Sequence, residues 1–171
     1  MFIRDELRGA FGLWNYLSRG QKRQKLLSIL RRLRRRGLLD LLQIRKTFGS
    51  LDHLLIPRHL LLEAADKPLE PGSRLTVCGR ARDKHLARDS TGRWGTAAGD
   101  DRSKNEAARR MMEEILDLAE WINIHHLPQC TPTLEIRDRD GFGLRFDIEP
   151  LRFRGFLEPY TKDGWLTRFK H

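Results

Sequence analysis

The chain has 171 residues, the length of one ordinary domain with an extension, and its formal net charge of +10 favours a polyanionic partner. Its two cysteines, Cys78 and Cys130, stand far apart in no paired spacing, which excludes a disulfide framework or a cysteine-based zinc site and fits a reducing, cytoplasmic compartment. No stretch is apolar for the length of a bilayer span, and Asp5 and Glu6 near the start argue against a secretory signal or an acid-poor transit peptide.

Taken in order, Phe2, Ile3, Leu7, Ala10, Phe11, Trp14 and Leu17 fall at helical spacing, and Ser18, Arg19 and Gly20 break the pattern. A second helix is predicted over residues 21–36, where Leu26, Ile29, Leu30 and Leu33 form a stripe and Lys22, Lys25, Arg31, Arg32, Arg34, Arg35 and Arg36 cover the remainder. Gly37 is its natural stop. Residues 38–48 read as another short apolar helix, and residues 50–65 as a further segment that Pro57 interrupts. Residues 67–73, with two prolines and a glycine, mark the boundary between a basic helical region (1–66) and an α+β core (74–171).

From Arg74 onward, Leu75, Val77 and Gly79 alternate with Thr76, Cys78 and Arg80, which predicts a strand. A polar loop over residues 82–101 follows, with a second short strand at Arg93, Trp94 and Thr96. A long amphipathic helix is predicted over residues 103–124. Ser103 and Glu106 have capping-box spacing, and Ala108, Met111, Met112, Ile115, Leu118, Ala119 and Ile122 form its buried stripe. His125 and His126 then lie in its last turn, and Pro128 ends it. Beyond it the alternation predicts three antiparallel strands. Leu134 and Ile136 mark the first; after a turn at residues 138–141, Phe142, Leu144, Phe146 and Ile148 mark the second, opposite Gly143, Arg145 and Asp147. Leu151, Phe153 and Leu157 mark the third, opposite Arg152, Arg154 and Glu158, and residues 160–171 are a polar tail with Trp165 and Phe169. The predicted fold is α+β: a helical N-terminal region, then the long helix laying Met111, Ile115 and Leu118 on a small antiparallel sheet.

For function, the strongest feature is the arginine-rich helix, in which residues 21–36 hold no acidic side chain. Arg31, Arg34 and Arg35 are suited to bidentate contact with phosphates and to the counterion release that drives such binding. A basic amphipathic helix also suits an anionic lipid surface or an acidic protein partner. A second candidate patch is Arg80, Arg82, Lys84, Arg88 and Arg93 on a loop with Trp94, where cations would hold a nucleic-acid backbone while the indole stacks on a base or, alternatively, fills the core. The start of the long helix, residues 101–107, resembles over one turn the helix start of double-stranded-RNA-binding domains, which implies that Lys104 reaches a phosphate.

An enzyme would draw on Asp83, His85, Asp89, Asp100, Asp101, Glu135 and His125 or His126, with acidic groups holding magnesium beside a basic groove. No H-E-x-x-H, Walker loop, G-x-S-x-G or dinucleotide fingerprint is present, and adjacent histidines on a helix point about 100° apart. The leading expectation is a cofactor-free protein that binds RNA or DNA, or regulates, through backbone phosphate contacts from a basic patch. The alternatives are an interaction module that docks on an acidic partner and a metal-dependent nuclease or phosphoryl-transfer enzyme.

Overall fold

The computed structural model describes residues 3–42, 44, 49–89, 91–97, 99–126 and 131–160. The chain divides into two compact units, Met1–Leu42 and Gln43–His171. Among the described residues, no helix is long and apolar enough to cross a membrane.

The first unit holds helix α1 (Ile3–Gly12), a 3-10 turn at Trp14–Tyr16 and helix α2 (Arg19–Leu41). The residues expected to break the first helix start the second: the Ser18 hydroxyl accepts from the Gln21 backbone N–H, and the Gln21 side chain accepts from the Ser18 N–H, at 3.3 and 2.9 Å. The expected stop at Gly37 is not where the regular helix breaks. At Arg34 the backbone leaves the helical range (φ 54°, ψ −173°), and a second helical segment runs on through Gly37 to Leu41. A Cβ at Gly37 would lie 2.9 Å from the Cβ of Leu33, so glycine there lets the backbone close over that leucine. The helix expected over residues 38–48 is the end of this segment, and residues 45–48 lie outside the described residues.

The second unit carries helices α3 (Arg58–Ala65), α4 (Val77–Leu86) and α5 (Asp101–Asp117), then strands β1 (Ala119–His126), β2 (Pro132–Asp138), β3 (Gly143–Ile148) and β4 (Leu151–Leu157). The strands form one antiparallel meander in the order β1-β2-β3-β4. The architecture is α+β, and the predicted final three strands and the Asp138–Gly141 turn are present; the Gly141 N–H closes the turn on the Asp138 carbonyl at 3.2 Å.

Three elements depart from expectation, the simplest being the short strand expected at Arg93, Trp94 and Thr96, which is a turn followed by irregular chain. The predicted strand after Arg74 is helix α4, capped by Thr76, whose hydroxyl accepts from the Gly79 N–H at 3.0 Å. The period-2 alternation there is only a few residues long, and the buried positions Cys78, Arg82 and His85 follow helical spacing instead. Two of those three are charged or polar, so hydropathy alone does not reveal the inward face. Asn105 of α5 ties the helices together: its Oδ1 accepts from the Thr76 N–H and hydroxyl at 2.9 and 3.0 Å, and its Nδ2 donates to the Arg74 carbonyl at 2.8 Å. A side chain at Gly79 would meet Asn105 Oδ1 at 2.4 Å, so only glycine permits this approach.

The third departure is the long helix. It begins two residues earlier than predicted, with Asp100 as its cap accepting from the Ser103 N–H at 2.8 Å; Ser103 is the third helical residue and not the cap. It also ends at Asp117, and the chain passes through Leu118 directly into β1. Ala119 and Ile122 continue the helical spacing by coincidence, while Ile122 and Ile124 alternating with Trp121, Asn123 and His125 belong to a strand. The buried residues of α5 are Ala108, Met112 and Ile115, whereas Leu118 is 55% exposed. Cys130 and the tail residues Trp165 and Phe169 lie outside the described residues.

One core joins the helices to one face of the sheet, with Ala108, Met112, Ile115, Trp94, Ile124, Leu134, Ile136, Leu144, Phe146 and Phe156 among its members. Cys78 is buried in it, and burial pushes its thiol pKa up to about 12. The thiol is packed and is not poised as a nucleophile.

Candidate active site on the polar face of the sheet

With Ile122, Ile124, Leu134, Ile136, Leu144 and Phe146 turned to the helices, strand geometry sends their neighbours to the other face. There the register aligns three rows. Trp121 pairs with Arg137, and Arg137 with Gly143; Asn123 pairs with Glu135, Glu135 with Arg145 and Arg145 with Gly155; His125 pairs with Thr133, Thr133 with Asp147 and Asp147 with Arg152. This face is charged yet largely enclosed: Glu135 is 1% exposed, Asp147 3% and Arg137 6%. Gly143 makes room for it. At Gly143 a Cβ would lie 2.9 Å from the Arg137 side chain and 2.2 Å from the Ile136 carbonyl, so a larger residue would displace the guanidinium.

Glu135 is the centre of the arrangement. Its Oε1 is held by Arg145, from Nε at 2.7 Å and Nη2 at 2.5 Å, and lies 3.9 Å from His125 Nε2. Its Oε2 stands 4.0 Å from Arg137 Nε. Arg137 is fixed by one nitrogen, Nη1, which donates to the carbonyls of Gly141 at 2.5 Å and Glu158 at 3.1 Å, while the Tyr160 ring lies 4.2 Å from the guanidinium carbon. Among the described residues, four of the buried atoms that lack a hydrogen-bond partner lie on this face, His125 Nε2, Glu135 Oε2, Arg137 Nε and Arg137 Nη2; Arg82 Nε and Nη1, on α4, lack one as well. A buried unpaired polar atom costs about 1–3 kcal/mol, more when charged, so four in one place set this face apart from an ordinary core.

These groups border a cavity of about 410 Å³ lined by Trp121, His125, Glu135, Arg137 and Tyr160, within the range of small-ligand sites. Burial pushes the pKa of His125 below its ordinary value of 6.5; Glu135 pulls it up, and Arg145 adds to the depression. Along the same face, Asp147 accepts from Arg152 and Arg154 at 3.1 and 3.2 Å, while Arg137 keeps two buried donors that have no hydrogen-bond partner among the described residues. A neutral imidazole, a carboxylate and an under-bonded guanidinium around one cavity make a set for moving a proton while holding an anion.

The sequence matches the CdiA C-terminal tRNase toxin domain over residues 62–158, more than half of the chain. The chain belongs to this tRNase toxin domain family. No curated protein and no solved structure matches it. The tRNase toxin domain match runs from within α3 to just past the end of β4, so it takes in every strand of the polar face; Tyr160, α1 and α2 lie outside it.

Within that frame the residues singled out from sequence fall into separate places. Arg31, Arg34 and Arg35 are exposed on α2, in the first unit. Arg80 and Lys84 are exposed on α4, which is a helix and not the expected loop, and Arg88 is exposed in the turn just past its end. Arg82, on the same helix, is 4% exposed and donates to the Thr96 carbonyl at 2.9 Å. Arg93 is paired with Glu114 and Asp138 at 2.6 and 3.2 Å, and Lys104 with Asp83 at 3.2 Å, so neither is an open phosphate clamp. Trp94 occupies the core alternative: it is 1% exposed, stacked on His85 at 4.4 Å and edge-on to Phe142 and Phe156. Of the possible acid–base residues, the polar face unites His125 and Glu135. Arg137 and Arg145 were not singled out. The signal for them is a glutamate and an arginine at alternate positions of a strand that has strands on both sides.

Proposed function

We propose that this chain is an endoribonuclease acting on transfer RNA, with its active centre on the polar face of the sheet. The observation that carries the proposal is the cluster of four unpartnered buried atoms from His125, Glu135 and Arg137 around one cavity. Membership of a tRNase toxin domain family supports the choice of substrate.

The chemistry these residues suit is attack of a ribose 2′-oxygen on the adjacent phosphorus. His125, kept neutral by burial, takes the 2′-hydroxyl proton at Nε2. Glu135, fixed by Arg145 and 3.9 Å from the imidazole, stabilises the imidazolium that forms. Arg137 directs Nε–H and Nη2–H at the non-bridging oxygens as charge builds on them. The phosphorus–5′-oxygen bond breaks, the leaving oxygen takes a proton from water, and the products are a 2′,3′-cyclic phosphate and a 5′-hydroxyl end. Incubating the purified chain with transfer RNA and identifying the new ends tests this. Cyclic phosphate and 5′-hydroxyl ends that disappear in His125→Ala and Arg137→Ala support it; undiminished cleavage in both variants overturns it.

Phosphate binding beyond the cavity is assigned to the exposed arginines of α2, Arg31, Arg34 and Arg35, and to Arg80 and Lys84 of α4 with Arg88 just past its end. Such contacts grip the backbone of RNA without reading its sequence.

A further inference from the structure

The proton-transfer groups explain the floor of the cavity but not its aromatic walls. Trp121 stands beside the reacting set, its ring edge-on to His125 with centroids 6.5 Å apart, and Arg137 is its cross-strand partner. Tyr160 covers the Arg137 guanidinium at 4.2 Å while 67% of its surface stays exposed. Neither ring belongs to the hydrophobic core that holds Trp94, Phe146, Phe153 and Phe156. Two large aromatic side chains kept at the rim of this cavity offer stacking faces beside the reacting groups.

We propose that Trp121 and Tyr160 clamp one nucleobase next to the bond that is cut, so that the substrate must present an unpaired, unstacked nucleotide there. This rests on the assignment of the polar face as a ribonuclease centre. The chemistry selects the ligand: every base has a π-face, and the Arg137 guanidinium under Tyr160 continues the stacking surface toward the phosphate site. A base inside an A-form helix has both faces covered by its neighbours, and its sequence-bearing edges are out of reach of side chains, so only a loop, a bulge or a strand end can fill the cavity. Trp121 and Tyr160 are therefore positioning residues that decide which linkage reaches His125.

The test uses the full chain and two short RNAs with the same sequence around the mapped cut, one single-stranded and one annealed to its complement. Cleavage of the single strand with the duplex slowed at least tenfold supports the clamp. Tyr160→Ala then raises KM by about 5- to 100-fold, the range of one lost base stack, with a smaller change in kcat, and Tyr160→Phe recovers most of that loss. Equal cleavage of both RNAs, or an unchanged KM in Tyr160→Ala, overturns the clamp while leaving the ribonuclease assignment standing. Undiminished cleavage by His125→Ala overturns that assignment instead. Tyr160 is exposed, so its variants fold, and circular dichroism verifies this.

Discussion

The two faces of the sheet are built from the same strands and obey opposite rules. Toward the helices, Leu134, Ile136, Leu144, Phe146 and Phe156 are buried in a core whose rings meet at ordinary packing distances, as in Phe146 against Phe153 at 5.1 Å. On the reverse, the alternate residues Glu135, Arg137 and Asp147 are as deeply enclosed, but several of their polar atoms are left without partners. One face is apolar and holds the fold together. The other carries an energetic penalty that packing alone would remove, which is the signature of a surface kept for chemistry.

Substitutions that separate activity from stability sharpen that contrast. The largest effect is expected from His125→Gln and Glu135→Gln, each lowering transfer-RNA cleavage by about 100- to 10,000-fold, measured by gel assay, with His125→Gln melting close to the parent chain. The converse is Phe146→Ala, which lowers stability by about 3–5 kcal/mol in urea unfolding while sparing the cleavage rate of the fraction still folded. Gly79→Ala, which crowds Asn105, is expected to lose about 1–3 kcal/mol by the same measurement, again without a specific effect on chemistry.

The pH profile divides the faces in a further way. Because the pKa of His125 lies below 6.5, cleavage by the neutral imidazole rises with pH through a value under 6.5 and then levels off. The unfolded chain binds more protons at this histidine than the folded one, so stability falls as pH drops below 6.5 and the loss is complete below the depressed pKa. In His125→Gln both dependences lose this component. The smallest effect concerns the first unit: charge reversal at Arg31 and Arg35 flattens the salt dependence of RNA binding by roughly one unit of slope per lost phosphate contact and leaves the ends of the cleaved RNA unchanged.

Much of the second unit is legible in the sequence because its strands alternate cleanly: Leu144, Phe146 and Ile148 against Arg145 and Asp147 specify both faces of β3. The site is harder to read for two physical reasons. The spacing of Ile115, Leu118, Ala119 and Ile122 satisfies a helix as well as the true helix-to-strand passage, and extending the helix places His125 where it cannot face Glu135. In addition, alternation is ordinarily read as apolar inside and polar outside, so Arg137 and Arg145 look like solvated side chains although the first is buried and the second holds a buried carboxylate. The arginine-rich stretch of α2 is conspicuous in composition, whereas the residues best placed for chemistry are single charges dispersed along three strands.

The direct passage from α5 through Leu118 into β1 has a consequence for how such a chain can change over time. With one residue between the two elements, an insertion or deletion there would turn the strand over, sending the imidazole at position 125 among the aliphatic side chains and an isoleucine to its place. Length variation should therefore gather in the exposed turn at residues 69–72, where a gained or lost residue leaves the phase of the strands intact, while this junction keeps a constant length wherever the catalytic histidine is retained.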